Sequence, residues 1–146
     1  CIEYLYKNEN YNPEFIIYLR PTQPFRIKGE IKKVMDCFKK NLQIDSLRTI
    51  QKTKYPPFWI KKIDKKNNLV PLEKKYQKLA DERSQNLPLT YFCDGAIDAS
   101  RLKSYKKYKS FSKGSVYGML RSNAYYVDID SLEDWQYAEY LMKSYE

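Results

Sequence analysis

No histidine occurs among the 146 residues, which removes the commonest general base and the commonest metal ligand. Any proton transfer must then use a carboxylate, a lysine, a tyrosine or water on a metal. The three cysteines, Cys1, Cys37 and Cys93, stand at wide, irregular spacing. An odd number without a CxxC pair argues against both a disulfide framework and a zinc site, and a reducing cytoplasm is the simplest compartment. Only four glycines are present, Gly29, Gly95, Gly114 and Gly118, and none forms a phosphate-cradling loop. No apolar run approaches the ~18 residues of a membrane span, so no membrane partner is expected. The N-terminus has neither an initiating Met nor the basic segment and apolar run of a signal peptide. Ile2, Leu5 and Tyr6 instead fall at helical spacing, as though the chain opens inside a helix with further material upstream.

What is present is basic and aromatic. The length suits a single domain over 1–146, and 42% hydrophobic residues can bury a core. The 16% aromatic content comes largely from 15 tyrosines, and the net charge is +9. Such a charge suits an anionic partner, whether nucleic acid, a nucleotide triphosphate or an acidic sugar. The lysines, however, scatter in doublets such as Lys32–Lys33, Lys65–Lys66 and Lys106–Lys107, which favours a solvated surface.

Along the chain, the apolar run from Glu14 to Leu19 predicts a strand buried on both faces, the habit of a parallel sheet. It leads into the loop Arg20–Arg26, stiffened by Pro21 and Pro24. Ile31, Val34, Met35 and Phe38 then mark an amphipathic helix. In open α/β sheets ligands gather at the carboxyl ends of strands, so the Arg20–Arg26 loop is a candidate binding loop. Residues 46–72 alternate in extended segments broken by Pro56–Pro57 and predict an antiparallel arm. Left unpaired, its Phe58, Trp59 and Ile60 would be exposed, so it is read as a dimerisation arm, the alternative being an edge hairpin folded back on its own core. In Leu89–Asp98 the glycine, Gly95, permits close backbone approach to a neighbour or ligand; a short helix is predicted near Ser100–Tyr105 and a further strand at Val116–Leu120.

Tyr125–Asp130 alternates like a strand, which would project Asp128 and Asp130 from one face. Paired carboxylates of this kind suit Mg²⁺, which keeps waters and takes other ligands from substrate phosphates. Equally, Asp130 or Ser131 can cap the following helix, with Glu133 or Asp134 completing a capping box. That helix should bury Leu132, Trp135, Ala138 and Leu141.

Four landmarks in order resemble the acylneuraminate cytidylyltransferase family, the CMP-sialic-acid-synthetase-like enzymes. Leu19–Arg26 (LRPTQPFR) resembles the family's LQPTSPLR-type loop. Arg83–Pro88 (RSQNLP) resembles its RRQxLP element, and Asp94–Ile97 (DGAI) its NGAIY segment. Val127–Asp130 (VDID), with Glu133–Asp134, resembles its IDIDxxxDF ending. The likeness spans nearly the whole chain. The family's opening strand and its glycine- and lysine-rich triphosphate loop have no counterpart here, so the chain is expected to match the C-terminal two-thirds and to be inactive alone.

The resemblance implies an α/β, Rossmann-like three-layer nucleotidyltransferase fold, its N-terminal part missing, with an extended β dimerisation arm. It implies a Mg²⁺-dependent reaction in which the anomeric hydroxyl of an acidic sugar (sialic, legionaminic, pseudaminic or a related acid) attacks the α-phosphate of CTP, giving CMP-sugar and pyrophosphate. Asp128 and Asp130 would be the catalytic, metal-holding pair. Arg20, Thr22, Gln23, Arg26, Arg83, Gln85, Asp94 and Gly95 would bind substrates, with arginine forks suited to the sugar carboxylate. A homodimer is implied.

The chain also departs from the family. Arg20 stands where sialic-acid enzymes carry glutamine, and Gln23 replaces serine. Asp94 replaces the amide of NGAIY, and Asp98 stands at its tyrosine. Two other classes stay open. One is a basic, tyrosine-rich nucleic-acid-binding module, against which the aromatics lie at core spacing and no RNP, KH or zinc pattern is present. The other is a non-catalytic half that only dimerises or binds sugar.

Overall fold

The computed structural model describes residues 2–122 and 125–143. Two compact units are formed, one from the chain up to Ile50 and from Cys93 onward, the other from Gln51–Phe92.

The larger unit opens with helix α1 (Ile2–Glu9), as the spacing of its apolar residues predicts, although none of its side chains is fully buried. Strand β1 (Phe15–Tyr18) follows, then helix α2 (Glu30–Lys40). Strand β2 (Ser46–Lys52) leads out toward the second unit. Strand β5 (Tyr91–Arg101) returns into helix α3 (Leu102–Tyr108). Strand β6 (Val116–Leu120) and helix α4 (Leu132–Lys143) complete the unit.

The sheet has the order β1-β5-β2-β6. β1 runs antiparallel to β5, with Tyr18 opposite Asp98, whereas β2 runs parallel to β6, with Ile50 opposite Leu120. Contacts of Asp45 with Arg101, Ser46 with Ser100 and Thr49 with Ile97 run in opposite directions, so β5 is also antiparallel to β2. The carboxyl ends of β1, β2 and β6 therefore share one edge of the sheet with the start of β5. This corrects the expectation for β1. It is an edge strand of half-buried residues, and the strand buried on both faces is β5 from Asp94 to Ser100. Small side chains, Gly95, Ala96, Ala99 and Ser100, let neighbours close over β5 on both sides.

Val34 and Phe38 of α2 pack on Leu47, Ala96, Ile97 and Ala99 to form the main core. Ile31, expected on the same helical stripe, is exposed. Arg101 closes the carboxyl end of α2, donating to Phe38 O at 2.8 Å and lying over the Phe38 ring. A second cluster joins Phe25, Val127, Ala138 and Leu141, with Ile129 against it. The predicted burial of Leu132 and Trp135 does not hold: they are 68% and 52% exposed. Only the Ala138/Leu141 stripe of α4 meets the Phe25 cluster.

In the second unit, β3 (Lys61–Ile63) and β4 (Leu69–Pro71) form an antiparallel hairpin. Asp64 holds its turn, accepting from the amides of Lys66 and Asn68, both at 2.8 Å. The antiparallel arm is thus shorter than predicted, because Ser46–Ile50 belong to the main sheet. Phe58 is also not exposed. It is buried, edge-on to Tyr76 with ring centroids 5.1 Å apart, and Trp59 Nε1 donates to Glu82 O at 3.1 Å. No helix among the described residues is long and apolar enough to cross a membrane.

Candidate functional site

The residues singled out in the larger unit converge on the shared edge. The Arg20–Arg26 loop leaves β1 and folds on itself, with Gln23 N donating to Arg20 O at 3.2 Å. Arg26 ties it to the sheet by donating to Ala96 O at 3.3 Å and to Arg20 O. Both bonds go to backbone, so Arg26 holds the loop. The segment after β6 docks on the same loop, where Ile129 N donates to Thr22 O at 2.9 Å. That single bond sets Asp128 and Asp130 beside Thr22 and Gln23.

Tyr125–Ile129 is not a strand of the sheet, which corrects the expectation of a paired strand there. Its alternation reflects Val127 and Ile129 facing the Phe25 cluster. Asp128 is half-buried and Asp130 exposed. Asp130 does not cap α4. Ser131 does, accepting from Asp134 N at 3.2 Å while the Asp134 carboxylate accepts from Ser131 N at 2.9 Å and Asp130 N at 3.2 Å. These contacts form the reciprocal capping box predicted as the alternative, and they leave the Asp130 carboxylate outside it.

At the start of β5, Asp94 is buried and accepts from Thr49 Oγ1 at 2.5 Å, Ala96 N at 3.1 Å and Arg121 Nη1 at 2.8 Å. Burial works against its charge, yet the bonds from Thr49, Arg121 and the Ala96 amide together hold its carboxyl below the usual carboxylate range. Arg121 also donates to Glu30 Oε1 at 2.7 Å and to Phe25 O, and Glu30 Oε2 accepts from Ile27 N at 2.9 Å. One arginine thereby ties the binding loop, the head of α2 and β5 together. A lone arginine after a strand carries no motif, and the sequence reading missed it.

Gly95 sits at φ +72°, and a Cβ there would come within 3.2 Å of Arg20 Cδ. The glycine therefore meets a backbone demand and also clears space for the Arg20 side chain. Arg20 pairs with Asp98 at 3.2 Å, and Arg48 pairs with the same carboxylate at 2.7 Å. Tyr126 lies among the acids. Burial pushes its phenol pKa up, and Asp128, Asp94 and Asp130 push it further, against the opposing effect of Gln23. At neutral pH the phenol is a hydrogen-bond donor and not a base.

Arg83 and Gln85 are exposed on a 3-10 turn at Ser84–Asn86 in the second unit. Among the described residues no three acidic or cysteine side chains converge as a metal cage. Asp128 and Asp130 offer at most two carboxylates, a donor set that suits Mg²⁺ completed by water and phosphate.

No protein-family model matches the chain, and no curated protein matches it in sequence. Among solved structures it is similar to CMP:2-keto-3-deoxy-manno-octonic acid synthetase complexed with CTP. The TM-score is 0.59 at 10% identity, over 99% of this chain and 67% of that one. The chain therefore shares the mixed α/β fold of that synthetase.

Proposed function

We propose that the protein carrying this chain is a cytidylyltransferase that activates an acidic sugar with CTP, releasing pyrophosphate. The observation that carries the reading is the Ile129–Thr22 backbone bond. It draws the Asp128/Asp130 segment onto the Arg20–Arg26 loop at the edge where α/β sheets bind ligands. The shared fold with a synthetase complexed with CTP supports the same reaction class. That synthetase is named for a 2-keto-3-deoxy sugar acid, and the LRPTQPFR, DGAI and VDID elements favour the related nonulosonic acids, sialic acid among them.

On this reading the anomeric hydroxyl of the sugar attacks the α-phosphate. With no histidine in the chain, the proton acceptors at this edge are carboxylates, and Tyr126 stays a neutral phenol. Asp128 and Asp130 would hold Mg²⁺, which when bound offsets charge on the phosphoryl and pyrophosphate oxygens. Arg26 keeps the loop in shape, and Gln23 and Thr22 line it. Cytoplasmic location follows from the need for CTP, and neither membrane nor nucleic acid is a partner.

The test is pyrophosphate release from CTP by the protein carrying this chain, with eight- and nine-carbon 2-keto-3-deoxy sugar acids as acceptors. Acceptor-dependent release supports the reading, and release with none of them overturns it.

A further inference from the structure

We infer that Arg20 is the residue that grips the sugar carboxylate, and that Asp98 and Arg48 are positioning residues that hold it in place. The inference rests on the transferase reading and names the specificity element of the same site. Asp98, its side chain only 3% exposed, accepts from Arg48 Nε at 2.7 Å, Arg48 Nη2 at 3.4 Å and Arg20 Nη2 at 3.2 Å. Two guanidinium cations thus share one carboxylate, which leaves a positive charge that Asp98 does not match. Asp94 also faces Arg48 electrostatically, but Arg121 already engages it.

The two arginines differ in what remains free. Arg48 bonds through all three of its nitrogens, since its Nη1 donates to Ser112 Oγ at 2.9 Å and its Nε and Nη2 donate to Asp98. The bond to Asp98 raises its pKa, against the opposing effect of burial. Arg20 makes one side-chain bond among the described residues. Its Nε is buried without a partner, its Nη1 donates to no described residue, and the side chain is 38% exposed. The guanidinium lies flat on Gly95, where a Cβ would stand 3.2–3.3 Å from Cδ, Cζ and Nε. Beside it lies Gln23, which is buried and donates through its backbone amide to Arg20 O.

A planar cation with an open donor edge matches a carboxylate's two oxygens. The alternatives are weaker, because Arg26 is anchored to backbone carbonyls through Nε and Nη2 and Arg48 is anchored through all three of its nitrogens. A nucleotide phosphate could meet the same donors, so the experiment must separate the two anions.

Equilibrium binding would be measured for the sugar acids, for their C1 carboxamides and for CTP. The proteins are wild type, Arg20→Met, Asp98→Asn and Arg48→Met. The wild type should prefer an acid over its carboxamide by roughly 10–100-fold, the value of a charge-assisted contact. Arg20→Met should abolish that preference with CTP affinity unchanged. Asp98→Asn and Arg48→Met should each weaken it several-fold, again leaving CTP alone. A preference that survives Arg20→Met overturns the assignment, and so does parallel loss of CTP affinity. Should Asp98→Asn fail to fold, the half-exposed Arg20→Met decides. Acid binding that depends on Arg20 without pyrophosphate release keeps this inference and sinks the transferase reading. Release that treats acid and carboxamide alike does the reverse.

Discussion

Arg121 Nη1 and Asp94 Oδ2 meet at 2.8 Å with their side chains 1% and 0% exposed, joining the end of β6 to the start of β5. The same guanidinium reaches Glu30 at 2.7 Å. A buried arginine between two carboxylates is costly to assemble, but removing it is costlier, because two desolvated charges lose their partner.

Arg121→Met should therefore destabilise the fold by about 3–5 kcal/mol, read as the shift of a urea midpoint. The pH dependence adds a sign. In the wild type Asp94 has a folded pKa below its unfolded value, near 3.9 for a model aspartate. Its contribution is full above that unfolded value and is lost as pH falls through the folded one, so acid weakens the protein. In Arg121→Met the unpaired buried carboxylates favour their protonated forms, so the variant should gain stability as pH falls. A variant whose acid limb parallels the wild type would refute the coupling.

Gly95→Ala and Gly29→Ala separate backbone strain from the Arg20 contact. Both glycines have positive φ, +72° and +86°, but nothing lies within 4 Å of a Cβ at Gly29. Each variant should lose about 1–2 kcal/mol, the cost of a left-handed L residue. Only Gly95→Ala should also weaken binding of the sugar acid, because only there must Arg20 move. Equal acid affinity in the two variants would show that the Arg20 shelf does not matter.

Helix α2 was legible because Val34 and Phe38 fall on one stripe and no local rule competes. β6 was legible because its short apolar run is flanked by turn residues. The Tyr125–Ile129 segment misled because alternation reports which side chains turn inward, and Val127 and Ile129 do so without a strand partner. Its backbone finds Thr22 instead, a bond between residues over a hundred positions apart that no local pattern encodes. The role of Arg121 was hidden for the same reason. Asp94 was found only through the family-like DGAI string, and Gly95 was legible as a point of close approach while its positive φ leaves no trace in composition. The exposure of Leu132 and Trp135 follows from how little of α4 the Phe25 cluster reaches.

The Gln51–Phe92 unit leaves Ile60, Ile63, Leu69 and Leu72 exposed on and beside its hairpin, even though Phe58 is buried. A surface of that kind favours pairing between chains, and a homodimer through this unit is the expected state. Sedimentation equilibrium should give a dimer, and replacing Ile63 and Leu69 by lysine should give a folded monomer. A monomeric wild type at high micromolar concentration removes the proposal.

The last expectation separates metal holding from helix capping within four residues. Asp128 and Asp130 make no hydrogen bond through their carboxylates to any described residue, whereas Ser131 and Asp134 are tied to each other. The Asp134 carboxyl lies below the usual range through the bond from Ser131, aided by the amides of Asp130 and Ser131. Ser131→Ala should therefore lower stability by about 1 kcal/mol, the usual value of a lost N-cap, and leave turnover within a small factor of wild type. Asp128→Asn and Asp130→Asn should do the opposite, leaving the thermal midpoint in place and cutting turnover by two orders of magnitude or more. A metal role also predicts that raising Mg²⁺ partly restores Asp130→Asn, because a weakened site can be filled by mass action. Full turnover in both asparagine variants would remove the metal assignment and leave the segment with its structural role of packing Val127 and Ile129.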